Sequence, residues 1–451
     1  MVYFLGILIS LAAGYLVIRL LTDNRLHLIL HLLLALVLGL GIDGTVTFYT
    51  HILLNQFNHW IPIGLVLIII AFLLFYKKED PALAVHPIVN LKKSKTLNKL
   101  STNKINFTQT YGLGLVTLAI LAIPLAISGH YYPLGGWDAW SCWSLKAKFI
   151  FLGQDNWKDV LTPNLWRSNT QYPLLWPLIN VWFFDLAGRF DQTVPMLNSI
   201  VFALLTAGIL IFGILELTGN LWGAIVAAVI VTALPFGVTL YTSQYSDALL
   251  GLFLLSAFMS LLLGEKYNLP QLKILSLIFL ALMSFTKNEG LIASGIAALA
   301  VFWHERANKK ELKTLILTYV IALIPTIIFT LFIAPKNEAF INGLLSTDKP
   351  SNWSRLSVIL VYPWFEFISS KWNGFWFLVL GGILLSGRKL WRSTLRLIAI
   401  SLILYLTVIL AYYQVNTFFE IGWWLSTTLS RILFALIPTI TLWISLGIMA
   451  V

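Results

Sequence analysis

The chain is 451 residues long, 59% hydrophobic and only 11% charged, against roughly a quarter charged in a soluble domain. That balance excludes a soluble globular protein and defines an all-α polytopic membrane protein, because lipid leaves no backbone polar group unpaired outside a helix or a closed barrel. The net charge of +11 gathers in a few loops, so it reads as a topology signal rather than a nucleic-acid surface. A single cysteine, Cys142, excludes an internal disulfide and a cysteine-built metal site.

Three helices are expected first, over about residues 2–20, 27–42 and 60–76. The opening MVYFLGILIS has no basic flank, so this segment is expected to be retained rather than cleaved. Arg19 and Arg25 flank the first connection, whereas DGTVTFYTHILLNQFNH in the second carries neither lysine nor arginine. A basic loop follows over 77–111, with Lys77, Lys78, Lys92, Lys93, Lys95, Lys99 and Lys104 against Glu79 and Asp80. Basic loops stay in the cytoplasm. The next helix, about 112–129, therefore runs outward and delivers an extracytoplasmic loop, 130–171.

The core of that loop is GGWDAWSCWSLKAKFI, residues 135–150. One acid, Asp138, stands among Trp137, Trp140 and Trp143, with Lys146 and Lys148 one and two turns on. Tryptophans three apart are expected to share a helical face at headgroup depth, with the lysines near lipid phosphates. The segment 172–187, interrupted by Pro173 and Pro177, is expected to be re-entrant or surface-lying. Only then do Asp138 and Asp247 fall on the same side. Further helices are expected at 194–216, 221–242 and 247–264. A half-length pair, 272–285 and 289–303, is joined by SFTKNEG. Spans at 314–334, 372–386 and 395–413 follow, with a surface helix near 356–370 and a last helix starting near Arg431. In all, about 12–14 transmembrane or re-entrant helices are expected.

An ionisable side chain at membrane depth costs on the order of 2.5–3.5 kcal/mol. Five meet that description, Asp138, Asp247, Lys287, Glu289 and Arg431, each expected at the outer end of a helix. Acids and bases gathered on one side suit a cavity that takes an anion and handles a proton or a metal. Lys146 and Lys148 stay open between membrane anchor and ligand. Asp185, Arg189 and Asp191 read as a solvated loop, and Trp353, Trp364, Trp423 and Trp424 as interfacial belt. No internal repeat points to a transporter.

GWDAWSCWSLKAKF, YPLLWPLI, QYSDALLGLF, FTKNEGL and WWLSTTLSRILFALIP together resemble the integral-membrane glycosyltransferases of the GT-C class. The resemblance is to the RgtA/B/C/D-like branch, relatives of the aminoarabinose transferase and the protein O-mannosyltransferases. It covers residues 112–451 and leaves 1–76 as additional helices. It implies transfer of a single sugar from a polyprenyl-phosphate donor to a glycan, lipid or protein acceptor on the extracytoplasmic face of the cell membrane. It also implies Asp138 as general base or acceptor-orienting group, and Asp247, Lys287 and Arg431 at matching substrate-binding positions. Glu289 would pair with Lys287 or orient a sugar hydroxyl, and Trp137, Trp140 and Tyr172 are further candidate contacts. The motifs fix no cofactor, and a divalent cation, Mg or Mn, at Asp138 and Asp247 is the one candidate. Related sequences often place an acid before the YP pair where this chain has Gln171, which weakens a two-carboxylate metal site. The competing readings are a non-catalytic flippase or assembly protein for undecaprenyl-linked glycans, and a glycan ligase or polymerase.

Overall fold

The computed structural model describes residues 1–22, 25–76, 107–336, 338–345 and 352–449. The basic run Lys77–Lys104 lies outside the described residues. Among those described, every regular element is helical. Among the described residues seven helices are long and apolar enough to cross a membrane, or up to nine if each of two bent pairs is one span.

The helices are α1 (Val2–Thr22), α2 (Leu28–Thr47), α3 (Trp60–Phe75), α4 (Phe107–Tyr131), α5 (Ser144–Gly153) and α6 (Leu175–Ala187). Next come α7 (Val194–Thr218), α8 (Leu221–Thr232), α9 (Pro235–Thr242), α10 (Ser246–Tyr267), α11 (Pro270–Ser284) and α12 (Asn288–His304). The chain continues through α13 (Lys309–Ala322), α14 (Ile324–Ile328), α15 (Glu338–Leu345), α16 (Asn352–Ile368) and α17 (Phe375–Ser386). It ends in α18 (Ser393–Val415) and α19 (Ile421–Met449). The bends have sequence causes. Pro235 opens α9 after a 63° break from α8, and Pro325 follows a 46° break after α13.

The centre of the bundle is α10, buried along nearly its whole length among α7, α11 and α19. Its two ends differ in chemistry. At one, Lys273 pairs with Glu305 (2.7 Å) and Glu311 (3.0 Å), His304 lies 3.2 Å from Glu265, and Ser393 donates to Glu265. At the other sit the loop after α4, the α9–α10 turn and the α11–α12 turn.

Three expectations are corrected here. The second connection is largely helical: α2 continues through a π-helical turn, Phe48–Leu53, because DGTVTFYTH holds no proline and its threonine hydroxyls donate to carbonyls one turn back. Asp43 therefore sits inside a span, fully buried, and accepts a hydrogen bond from Ser10 of α1. Second, α19 begins at Ile421, not near Arg431, since IGWWLSTTLS contains no proline, its one glycine lies at the helix start, and its hydroxyls bond back along the helix. Arg431 lies ten residues in, about 15 Å below the helix start at 1.5 Å per residue. Third, Trp424 belongs to an interior aromatic group with Tyr412, Tyr413 and Phe419, whereas Trp353, Trp364 and Trp423 are exposed.

The first two helices cross backbone to backbone. A Cβ on Gly39 would overlap the Ser10 carbonyl, and one on Gly14 would overlap that of Ala35. Gly39→Ala is expected to cost about 1–3 kcal/mol by overpacking, read as a lower unfolding temperature of the detergent-purified protein. An unchanged temperature would show that α1 and α2 are not held this closely.

Segment 172–187 is built around one continuous helix of 13 residues, buried over most of its length rather than broken at Pro177 or lying exposed on the surface. Its helix, α6, has the backbone N–H of Leu175 on the Phe285 carbonyl (3.0 Å) and the Trp176 indole on the Gln244 carbonyl (3.0 Å). Its far end meets the residues around His51 and His59.

Candidate functional site

Four separate segments deliver the five charged side chains to one place. Asp138 caps a π-helical turn, Ala139–Trp143, that leads into α5. Such turns recur at functional sites. Gly135 and Gly136 bring the loop there: Gly135 has φ +69°, and a Cβ on Gly136 would collide with the Tyr245 hydroxyl. The N–H of Gly136 donates to the Ser243 carbonyl at 3.0 Å, tying this loop to the α9–α10 turn.

Arg431 is the joint of the cluster. Its Nη1 donates to Asp138 Oδ2 at 2.7 Å, while Nε and Nη2 donate to Asp247 Oδ2 at 3.1 and 2.9 Å. The guanidinium also lies over the Tyr245 ring, 4.2 Å from its centre. Lys287, at the cap of α12, donates to Asp247 Oδ1 at 3.1 Å and lies 3.3 Å from Glu289 Oε1. The other Glu289 oxygen has no hydrogen-bond partner. Exposure separates the acids: the Asp138 and Glu289 side chains keep 21% each, whereas Asp247 keeps 4%. Asp247 is thus a structural counter-ion to two cations, and Asp138 and Glu289 are the acids an entering molecule can meet.

The remaining candidates divide. Tyr172 is part of the site wall: its ring stacks on Trp143 (5.6 Å) and lies under Lys287 Nζ (5.8 Å). Lys146 is fully buried and donates to the carbonyls of Asn169 (2.7 Å) and Tyr172 (3.3 Å), so it pins the loop that carries Tyr172. Burial pushes its ammonium below the ordinary lysine value. Lys148 is exposed, 5.5 Å over the Phe190 ring and apart from the cluster. The three tryptophans do not share a face. Trp137 and Trp140 are exposed and packed edge to face at 4.4 Å, while Trp143 is wholly buried. Trp140 and Trp143 fall in the π-helical turn Ala139–Trp143, where the α-helical spacing that keeps residues three apart on one face does not hold. Burial pushes the Cys142 thiol up to about 11, which removes it as a nucleophile at neutral pH.

Tyr245 is a site residue that sequence reasoning missed, although it stands two positions before the flagged Asp247. Asp185, expected in a solvated loop, is not solvated. It is buried in the last turn of α6, with His59 Nδ1 hydrogen-bonded to Oδ1 at 2.7 Å. His51 Nε2 lies 2.9 Å from Oδ2, close enough for an ion pair but not aligned for a hydrogen bond. The hydrogen bond it donates to Asp185 holds the His59 imidazole above its ordinary value of 6.5, against the opposing effect of burial. A raised folded-state value means this pair stabilises the fold fully below the unfolded histidine value and loses that contribution as pH rises through the folded one. Asp185→Asn should return the His59 titration, followed by NMR, toward 6.5. A titration unmoved by the change would contradict the pairing.

A divalent cation does not fit between Asp138 and Asp247 as they stand. The Arg431 guanidinium already occupies the space between Asp138 Oδ2 and Asp247 Oδ2. Among the described residues no group of three His, Cys, Asp or Glu side chains is arranged to hold a metal.

Fold and site together define a multi-pass, all-helical membrane protein with a buried ion-pair cluster at one end of its bundle. Compared with known proteins, the chain matches no family model, no curated protein and no solved structure.

Proposed function

We propose that the protein transfers one sugar from a polyprenyl-phosphate donor to an envelope glycan, lipid or protein acceptor, at the extracytoplasmic face of the cell membrane. The observation that carries this reading is Arg431 bridging Asp138 and Asp247 while Lys287 backs Asp247. Three carboxylates stand against two cations here, so an arriving phosphate gains a site only by displacing a carboxylate from Arg431. Asp138, the more exposed partner, is the one that yields. Phosphate on the guanidinium would therefore free the base at the moment the donor arrives.

The chemistry is then a single displacement. The acceptor O–H gives its proton to Asp138 as its oxygen bonds to the anomeric carbon, and the bond from that carbon to the phosphate oxygen breaks. The electron pair leaves with the lipid phosphate, whose charge Arg431 and Lys287 stabilise. Inversion at the anomeric carbon follows. Orientation follows from charge: Lys309, Lys310, Arg388 and Arg392 adjoin the end opposite the cluster, and basic loops remain cytoplasmic.

The deciding experiment is mass analysis of envelope glycans from cells with and without the gene. A species lacking one sugar is expected in the deletion strain. Identical glycans in both strains would end this reading.

A further inference from the structure

The first three helices carry something the proposed chemistry does not use. The segment joining α2 to α3 sets two histidines on either side of one carboxylate. Asp185 is 3% exposed, and an acid so buried is retained only when partnered. Both partners, His51 and His59, come from the segment between α2 and α3 rather than from the module over 112–451. The same segment makes two further contacts with the loop that begins at Asp138. Asn55 donates to Asp155 at 3.1 Å, and the His59 ring stacks on Phe151 at 4.9 Å.

What Asp185 terminates is the point. α6 is a buried rod of 13 residues, about 20 Å long at 1.5 Å per residue. Its opposite end holds the two turns that present the cluster. The Leu175 N–H binds the Phe285 carbonyl, two residues before Lys287, and the Trp176 indole binds the Gln244 carbonyl, three residues before Asp247. Gln244 in turn donates to the Pro133 carbonyl at 2.9 Å, on the loop leading to Asp138.

We infer that Asp185 is a positioning residue: clamped by His51 and His59, it lets the N-terminal helices fix the seat of α6, and through α6 the turns that carry Lys287 and Asp247. The inference rests on the cluster being the working site, and its primary readout does not require sugar transfer.

The test is amide hydrogen exchange on the full-length protein in lipid nanodiscs, comparing the wild type with Asp185→Leu, Asp185→Asn and His59→Ala. Exchange at 243–247 and 284–290 should speed up by about tenfold or more in Asp185→Leu, as for a local opening made easier. Asp185→Asn keeps an acceptor for His59 and should recover most of the protection. Should Asp185→Leu fail to fold, His59→Ala, which removes a half-buried partner, should show the same two segments loosened more mildly. Sugar transfer, where measurable, should fall with Asp185→Leu and return with Asp185→Asn. Acceleration confined to residues 55–60 in His59→Ala, or no change at either turn in Asp185→Leu, overturns the inference. Loosened turns in a protein with no transferase activity would instead uphold the latch and remove the proposed function.

Discussion

Arg431→Ala is expected to give a protein that is both inactive and markedly less stable. The guanidinium makes three hydrogen bonds to two carboxylates, and Asp247 is nearly inaccessible to water. Removing one member of a buried pair leaves the other desolvated and unpaired, at a cost of about 3–5 kcal/mol. Lys287 remains to Asp247, which holds the loss toward the lower end. Asp138 loses its charged partner and its orientation. Arg431→Lys should recover little, because one ammonium cannot span two carboxylates as a planar fork does. Thermal unfolding of the purified protein and a membrane assay with labelled polyprenyl-phosphate sugar read the two effects separately. Wild-type stability in Arg431→Ala would mean that the bridge is not what joins α10, α19 and the Asp138 loop.

Asp138→Asn should separate binding from chemistry. The amide keeps the shape and one acceptor for Arg431 but cannot take a proton. A lost general base lowers the rate by about 10²–10⁴-fold. Carrier-phosphate affinity should hold or rise, since the phosphate no longer competes with a charged carboxylate for Arg431. Turnover and carrier binding, measured on one preparation, give the answer. Normal turnover would remove Asp138 as the base. Equal loss of turnover and binding would make it a substrate-holding group instead.

Much of this site is legible in the sequence, because charge in an apolar sequence is conspicuous. Asp247, Lys287, Glu289 and Arg431 each interrupt a hydrophobic run, and they meet Asp138 in one cluster. Pro173 and Pro177 suggest a broken segment, yet α6 is one continuous buried helix, because Pro177 falls in its first turn, where no intrahelical hydrogen bond is lost. Depth and pairing are not legible. Arg431 looks terminal because hydroxyl-rich sequence resembles a loop, whereas in lipid those hydroxyls bond to their own helix. Asp43 is hidden in the same way. Asp185 sits beside Arg189 and Asp191 in sequence but finds its partners 126 and 134 residues away, and no local pattern announces a contact of that range. Trp143 parts from its neighbours because the helix turns it inward.

The hydrogen bond between Ser10 and Asp43 bears on how the protein is made. As α1 leaves the translocon it meets little obstacle, since its one charge, Arg19, lies in the last turn. α2 carries an acid that would have to enter hydrocarbon alone, which on insertion scales costs about 2.5–3.5 kcal/mol. If α1 waits at the lateral exit, its Ser10 hydroxyl greets that acid, and the glycines at 14 and 39 let the two backbones close on each other. The pair would then partition as a hairpin, in one event. Ser10→Ala should therefore act on yield before it acts on catalysis, lowering the amount of membrane-integrated protein while the molecules that do insert work normally.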